Sequence, residues 1–143
     1  MGAFDEALYD TLTADATLTA LLATYESAPA VFTTDPAPED AELPYIVTAG
    51  AVAQTPYDTK DANYRGRTLM RDVRCYADAD GSAETVEAIA ERVRALLHRQ
   101  AIMVEDWAIC VAECMGPIAA DEPDAYGRVV TVRWIVFEKD DGS

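Results

Sequence analysis

The residues that could do chemistry in this chain are one histidine, three cysteines and many carboxylates. His98 ends a predicted helix, while Cys75, Cys110 and Cys114 fall in predicted strands without CxxC spacing. Cys110 and Cys114 share one face of a strand by count and could bind a metal with His98, but no fourth ligand is evident. We therefore interpret the cysteines as buried free thiols. We interpret His98 as a surface or cap-adjacent imidazolium that the negative end of the helix dipole favours.

Sequence motifs for catalysis or cofactor binding are absent. The seven glycines are dispersed and form no phosphate-binding loop. There is no HExxH motif, no EF-hand spacing and no GxSxG elbow. The acids Asp78, Asp80, Asp121, Glu122 and Asp124 lie in predicted loops, where solvated carboxylates are the usual case. The sequence predicts no enzyme, no cofactor and no metal.

Charge narrows the classes of partner further. The chain has 26 Asp plus Glu against 11 Lys plus Arg, a net charge of −15. Such a surface repels phosphates, so we expect neither a nucleic-acid-binding patch nor sequence-specific DNA contact. Two interpretations of the acidity stay open, namely adaptation to high salt and a wall past which a polyanion slides without sticking.

Length and hydropathy predict one domain over residues 1–143, made and kept inside a cell. No apolar run is long enough to span a membrane, so no membrane partner is expected. The acidic N-terminus does not resemble a secretory signal.

The elements are organised around the amphipathic stretch at residues 81–100, GSAETVEAIAERVRALLHRQ. Its apolar residues recur every three or four positions, and Ser82 stands where an N-cap is expected. Before it we predict a helix over residues 3–23 with a break at 13–15, a proline-rich connector over 25–43, a strand over 44–53, a polar loop over 54–65 and a strand over 67–77. After it we predict a strand over residues 105–115, a loop over 116–127 and a strand over 128–138.

The order helix, strand, strand, helix, strand, strand predicts an α+β domain. We expect a mostly antiparallel sheet of about four strands with helices packed on one face. The last strand, RVVTVRWIVFE, is apolar on both faces. Such a strand lies centrally in a sheet or in an assembly interface.

Several stretches of the sequence, in their order and spacing, together resemble the tail terminator, or tail-completion, family of long-tailed phages and related tailed viruses. These stretches are ALYDTLTADATLTALL, LPYIV, RTLMRDVRCYADADG followed directly by SAETVEAIAERVRALL, and GRVVTVRWIVFE. The resemblance covers nearly the whole chain. It implies a structural virion protein at the head-proximal end of the tail, made in the host cytoplasm. Members form a ring, usually hexameric, that caps the tail tube, stops its polymerisation and joins it to the head or neck, while DNA passes through without specific binding.

The partners that the resemblance implies are further copies of the chain, the tail tube protein and the head–tail connector or neck protein. On this interpretation the last strand and the first long loop supply the subunit contacts, and Arg can pair bidentately with a neighbour's acids. The candidate interface residues are Tyr57, Tyr64, Arg65, Arg67, Arg128, Arg133 and Trp134. The alternative is an acidic intracellular regulator that binds a partner or mimics DNA. A salt-loving host would also account for the acidity.

Overall fold

The computed structural model describes residues 2–34, 36–48, 51–58 and 65–139. For residues 2, 51–58 and 65 it describes the backbone alone. Its helices are α1 (Gly2–Thr13), α2 (Ala16–Thr19) and α3 (Glu84–Leu97). Its strands are β1 (Thr24–Tyr25), β2 (Ala28–Pro29), β3 (Val31–Phe32), β4 (Tyr45–Val47), β5 (Ala51–Asp58), β6 (Arg65–Asp78), β7 (Trp107–Ala119) and β8 (Ala125–Glu138). Within the described residues, no helix is long and apolar enough to cross a membrane.

The predicted α+β class is confirmed, and the main sheet has more strands than expected. Among the described residues it contains six strands, in the order β3-β4-β6-β8-β7 with β5 also pairing β6. β3 pairs β4 in parallel, and every other pair is antiparallel. The count exceeds four because the connector contributes β3 and the first predicted strand becomes β4 and β5. β1 and β2 form a separate small hairpin.

The last strand occupies the centre of the sheet. β8 pairs with β6 on one side and β7 on the other along almost its whole length. Its inward residues Val130, Val132, Trp134 and Val136 are fully buried. The central position inferred from its two apolar faces is therefore confirmed.

The stripe of α3 packs on the inner face of this sheet, as its spacing predicts. Val86, Ile89, Val93 and Leu97 are fully buried. The helix begins later than expected, with Ala83 at the N-cap position. The Ser82 hydroxyl still accepts a hydrogen bond from the Glu84 backbone N–H at 3.3 Å.

The predicted break in the first helix is confirmed, and Asp15 caps α2. Its carboxylate accepts from the Leu18 backbone N–H at 2.8 Å. The same carboxylate receives both Nε and Nη2 of Arg92, at 2.8 and 2.7 Å. One side chain therefore caps α2 and ties it to α3.

Two predicted loops are largely strand. β5 continues to Asp58 and β6 starts at Arg65, so much of residues 54–65 pairs in a hairpin. β7 continues to Ala119 and β8 starts at Ala125, which shortens the second loop in the same way. Pro56 and Pro117 lie within these strands at the border of the sheet, where a missing N–H is tolerated.

Arg71 is a buried cation on the inner face, with 2% of its surface exposed. Its Nε lies 3.4 Å from Oδ1 of Asp5 in α1, although this nitrogen makes no aligned hydrogen bond. The contact is therefore mainly electrostatic and holds the first turn of α1 against β6.

Replacing Asp15 by Ala should lower the free energy of unfolding by about 1–2 kcal/mol, because α2 loses its cap and Arg92 its partner. The Arg92 guanidinium lowers the pKa of the Asp15 carboxyl below its ordinary value of 3.8. As pH falls, the Asp15 carboxyl is therefore protonated in the unfolded chain before it is protonated in the folded protein. The contribution of Asp15 to the free energy of unfolding is complete above about pH 5, and it disappears as pH falls through the lowered pKa of the folded protein.

Urea denaturation at pH 7 and at pH 3 measures both effects. Asp10→Ala, which removes an exposed carboxylate of α1, is the control. An Asp15→Ala variant as stable as this control at pH 7 would contradict the role of the cap.

Candidate assembly surface

The two faces of the main sheet differ in what covers them. α1 and α3 supply apolar side chains to the core on one face. The opposite face, which we call the outer face, has no described helix packed over β6, β8 and β7. Its described non-glycine members are Thr68, Met70, Asp72, Arg74, Tyr76, Asp78, Ala108, Val111, Glu113, Met115, Ile118, Ala125, Val129, Thr131, Arg133, Ile135 and Phe137.

Much of the outer face is apolar, and some of it is open to solvent. Met115 is 48% exposed and Ile118 is 62% exposed. Val129, Ile135 and Phe137, the second apolar face of β8, are half-buried. An apolar sheet face without a covering layer is typical of a protein contact surface.

The outer face carries few charges. The Thr131 hydroxyl donates to Asp72 at 2.6 Å, and Arg133 donates to Glu113 at 3.1 Å. With Arg74 and Asp78, the described members of the face comprise three acids and two arginines. Most of the net charge of −15 therefore lies elsewhere in the chain. The face is suited to another protein surface rather than to a polyanion or a cationic groove.

Trp134, a predicted interface residue, lies on the inner face and is fully buried within its own chain. Its ring lies 6.0 Å from that of Phe4, which lies 5.6 Å from that of Trp107. Contacts among these rings pack α1 against the sheet. Trp134 therefore belongs to the core of the subunit, and β8 reaches the surface through the opposite side chains.

The predicted arginines have partners within the chain. Arg128 contacts Glu87 at 3.3 Å and Asp121 at 3.1 Å, which joins the β7–β8 turn to α3. Arg67 lies on the inner side with its guanidinium 5.4 Å from the Trp107 ring centre. Arg133 is the one of these three that lies on the outer face.

The other predicted contacts are in the first hairpin. The backbone of Tyr57 lies in β5 opposite Gly66, and that of Arg65 lies opposite Asp58. Tyr64 lies outside the described residues. A role of these residues in subunit contacts stays a prediction.

A bulge in β7 changes the expected placement of the cysteines. Register shifts between Ile109 and Val111, so Cys110 has no partner opposite it on β8. The extra residue reverses the alternation, which leaves Cys110 exposed while Cys75 and Cys114 are buried. The prediction of a buried Cys110 on the same face as Cys114 is therefore wrong. Burial raises the pKa of Cys75 to about 12 and that of Cys114 to about 11.

His98 lies at the end of α3 and also contacts the neighbouring strand. It occupies the C-cap of α3, the cap-adjacent position that was expected, and its Nδ1 accepts from the Cys114 backbone N–H at 3.0 Å. Among the described residues no group of His, Cys, Asp or Glu could hold a metal ion.

Two of the loop acids have local partners. Asp121 accepts from the Gly127 backbone N–H at 3.0 Å, and Asp80 accepts from that of Ser82 at 3.2 Å. These contacts shape turns and have no catalytic geometry. Sequence reasoning did not single out Met115 and Ile118, whose exposure depends on how far β7 extends. The apolar alternation of β8 was the available signal for the outer face.

Comparison with known proteins gives one family. The family model described as "Tail completion protein gp17" matches residues 6–136. No curated protein sequence matches the chain.

Solved structures show the same fold. One, titled "Virion of native gene transfer agent (GTA) particle", is 22% identical with a TM-score of 0.72, covering 95% of this chain and 96% of the other. A second is 12% identical with a TM-score of 0.55, covering 97% and 92%.

Replacing Trp134 by Ala should lower the free energy of unfolding by about 3–5 kcal/mol, because the substitution leaves a cavity beneath α1. Thermal and urea denaturation measure the loss. Ile118→Ala, an apolar truncation on the exposed outer face, is the control and should change stability by less than about 0.5 kcal/mol. Equal losses for the two variants would contradict the assignment of faces.

One thiol per folded chain should react quickly with a thiol-specific reagent, because Cys110 is exposed whereas burial and a raised pKa suppress the thiolates of Cys75 and Cys114. Cys110→Ser should abolish the fast phase, and denaturant should release all three thiols of the parent chain. A fast phase that survives in Cys110→Ser would contradict this.

Proposed function

The chain belongs to the tail completion protein gp17 family and is a structural component of a virion tail, and from this premise we propose that it is a ring-forming tail terminator. In this role it caps the finished tail tube at the head-proximal end and stops further polymerisation. It then presents a docking surface to the connector or neck protein. DNA passes through the ring without specific binding, and the chain has no catalytic role.

The observation that carries the proposal is the apolar, weakly charged outer face on a strongly acidic chain. A terminator has to bind further copies and the tube, so it needs surface that contacts protein. Met115, Ile118 and Ile135 provide apolar area there, and two arginines offset two of the three acids of the face. A regulator that mimics DNA would instead present its carboxylates at the contact.

The acidity fits the same role in two ways. Carboxylates that line the lumen of the ring would repel DNA phosphates and let the genome pass. At high salt the repulsion between subunits of charge −15 is screened, so assembly of such copies is favoured. A hexamer is the proposed ring, and a salt-loving host is a further proposal from the same charge.

The first test is the mass of the purified chain at low and high salt, followed by its effect on tail tubes. We expect a closed oligomer that high salt favours, and tubes grown from the cognate tube protein should stop at a capped end in electron micrographs. A chain that stays monomeric at every salt and leaves tube growth unchanged would overturn the proposal and favour the partner-binding regulator.

Ile135→Thr should weaken assembly and capping at least tenfold, because it removes apolar area from the outer face while keeping a β-branched side chain in the strand. The midpoint of the concentration-dependent mass change measures the effect. Ala88→Thr, on the exposed side of α3, is the matched control. An Ile135→Thr chain that assembles like the parent would exclude the outer face from the contacts.

A further inference from the structure

The acids and bases of the chain are distributed unevenly along its sequence. Residues 1–59 contain ten of the 26 acids and none of the 11 lysines and arginines. The described residues up to 48 form α1, α2 and β1 to β4, and β3 and β4 make one end of the main sheet. Arginines from later in the chain pair with Asp5 and Asp15. In the described ranges, the exposed acids of this segment without an ion pair are Glu6, Asp10, Glu26, Glu39, Asp40 and Glu42.

Four aromatic side chains form a row at the same end of the sheet, on the side of the outer face. Tyr76 of β6 is opposite Tyr45 of β4, and their ring centres are 5.5 Å apart. Phe32 of β3 lies 5.6 Å from Tyr45, and Tyr25 of β1 lies 5.3 Å from Phe32. All four side chains are half-buried, so part of this aromatic row is open to solvent.

Carboxylates lie beside the aromatic row at each of its ends. At one end, the exposed Glu26 directly follows Tyr25. Asp40 accepts from the Tyr25 hydroxyl at 2.9 Å, which holds the acidic β3–β4 connector beside the row. At the other end, the exposed Asp78 lies two residues beyond Tyr76 on the same face of β6.

The cations near the row are fewer than the acids. Arg74 lies two residues before Tyr76 on the same face of β6. Arg128 of the neighbouring strand β8 pairs with Glu87 and Asp121 instead. The described surface around the aromatic row is therefore anionic, and a partner that covers it has to supply positive charge.

We propose that the aromatic row and the carboxylates around it bind an arginine-bearing segment of a partner protein. A guanidinium stacks on aromatic rings and pairs bidentately with carboxylates, so one side chain uses both features of this surface. The same carboxylates repel the phosphates of a nucleic acid. A second copy is not the occupant, because the chain itself has a net charge of −15. The inference goes beyond the proposed ring and concerns a surface of the single chain.

The binding of a dye-labelled peptide of alternating arginine and glycine tests the proposal. Fluorescence anisotropy is measured at about 0.15 M salt, where the Debye length is about 8 Å and attraction at longer range is screened. We expect saturable binding of one peptide per chain. The same peptide with lysine in place of arginine should bind more weakly, because an ammonium lacks the planar fork that stacks and pairs bidentately.

The variant Tyr45→Leu isolates the part played by the rings. Leucine keeps apolar bulk in the strand but removes the aromatic face, so affinity for the arginine peptide should fall about fivefold. The matched control is Phe137→Leu, a half-buried aromatic residue near the other end of the outer face, which should bind like the parent chain. Circular dichroism checks folding, and Tyr25→Leu replaces Tyr45→Leu if that variant does not fold.

A second pair of variants isolates the part played by the carboxylates. Glu39→Gln with Glu42→Gln removes two exposed acids of the β3–β4 connector and should weaken binding severalfold. Glu84→Gln with Glu91→Gln makes the same change in net charge on the exposed side of α3 and should leave binding unchanged.

Three results would overturn the proposal. The parent chain could fail to bind the peptide saturably. Each variant could bind as tightly as its control, in which case the attraction belongs to the acidic chain as a whole. A single-stranded thymidine oligonucleotide could bind in place of the peptide, which would make the row a surface for stacked bases. None of these results bears on the capping of tail tubes, so the ring proposal would stand.

Discussion

The packing of the inner side of β8 against α1 and α3 is the constraint on which the rest of the structure depends. Val130, Val132 and Trp134 are fully buried there, with Phe4 of α1 against the indole. Because side chains alternate along a strand, burying this set directs Val129, Ile135 and Phe137 to the other face. The burial of one set of β8 side chains therefore creates both the core of the subunit and its outer face.

The two strands that pair with β8 differ in how regularly their side chains follow its alternation. β6 follows it without interruption from Gly66 to Asp78. β7 does so only with two register shifts, one at Ile109/Val111 and one at Met115/Ile118. The first shift moves Cys110 to the surface, and the second accommodates Pro117 within the strand. These shifts let β7 pair with β8 along most of its length and form a long edge.

Charge is distributed in a way that matches assembly. Acids are abundant on the helices and loops, whereas the described outer face carries only three acids, which two arginines partly offset. Between copies of a chain with a net charge of −15, contact is least unfavourable where acids are balanced or absent. The acidity thereby restricts which surfaces can meet, in addition to keeping DNA from adhering.

Much of this protein follows from local pattern. The stripe of α3, the break and cap at Asp15, the central place of β8 and the family resemblance all depend on residues close together in sequence, where spacing and capping chemistry act directly. Composition alone indicated the acidic surface and the absence of catalytic motifs.

Tertiary structure decided the rest, because the determining partners are distant in the chain. Cross-strand pairing turned parts of two predicted loops into strands, the bulge exposed Cys110, and the Cys114 N–H gave His98 a contact with β7. The burial of Trp134 and the exposure of Ile118 likewise depend on which face the helices cover. A strand that is apolar on both sides does not specify that choice, since only packing against another element distinguishes the two faces.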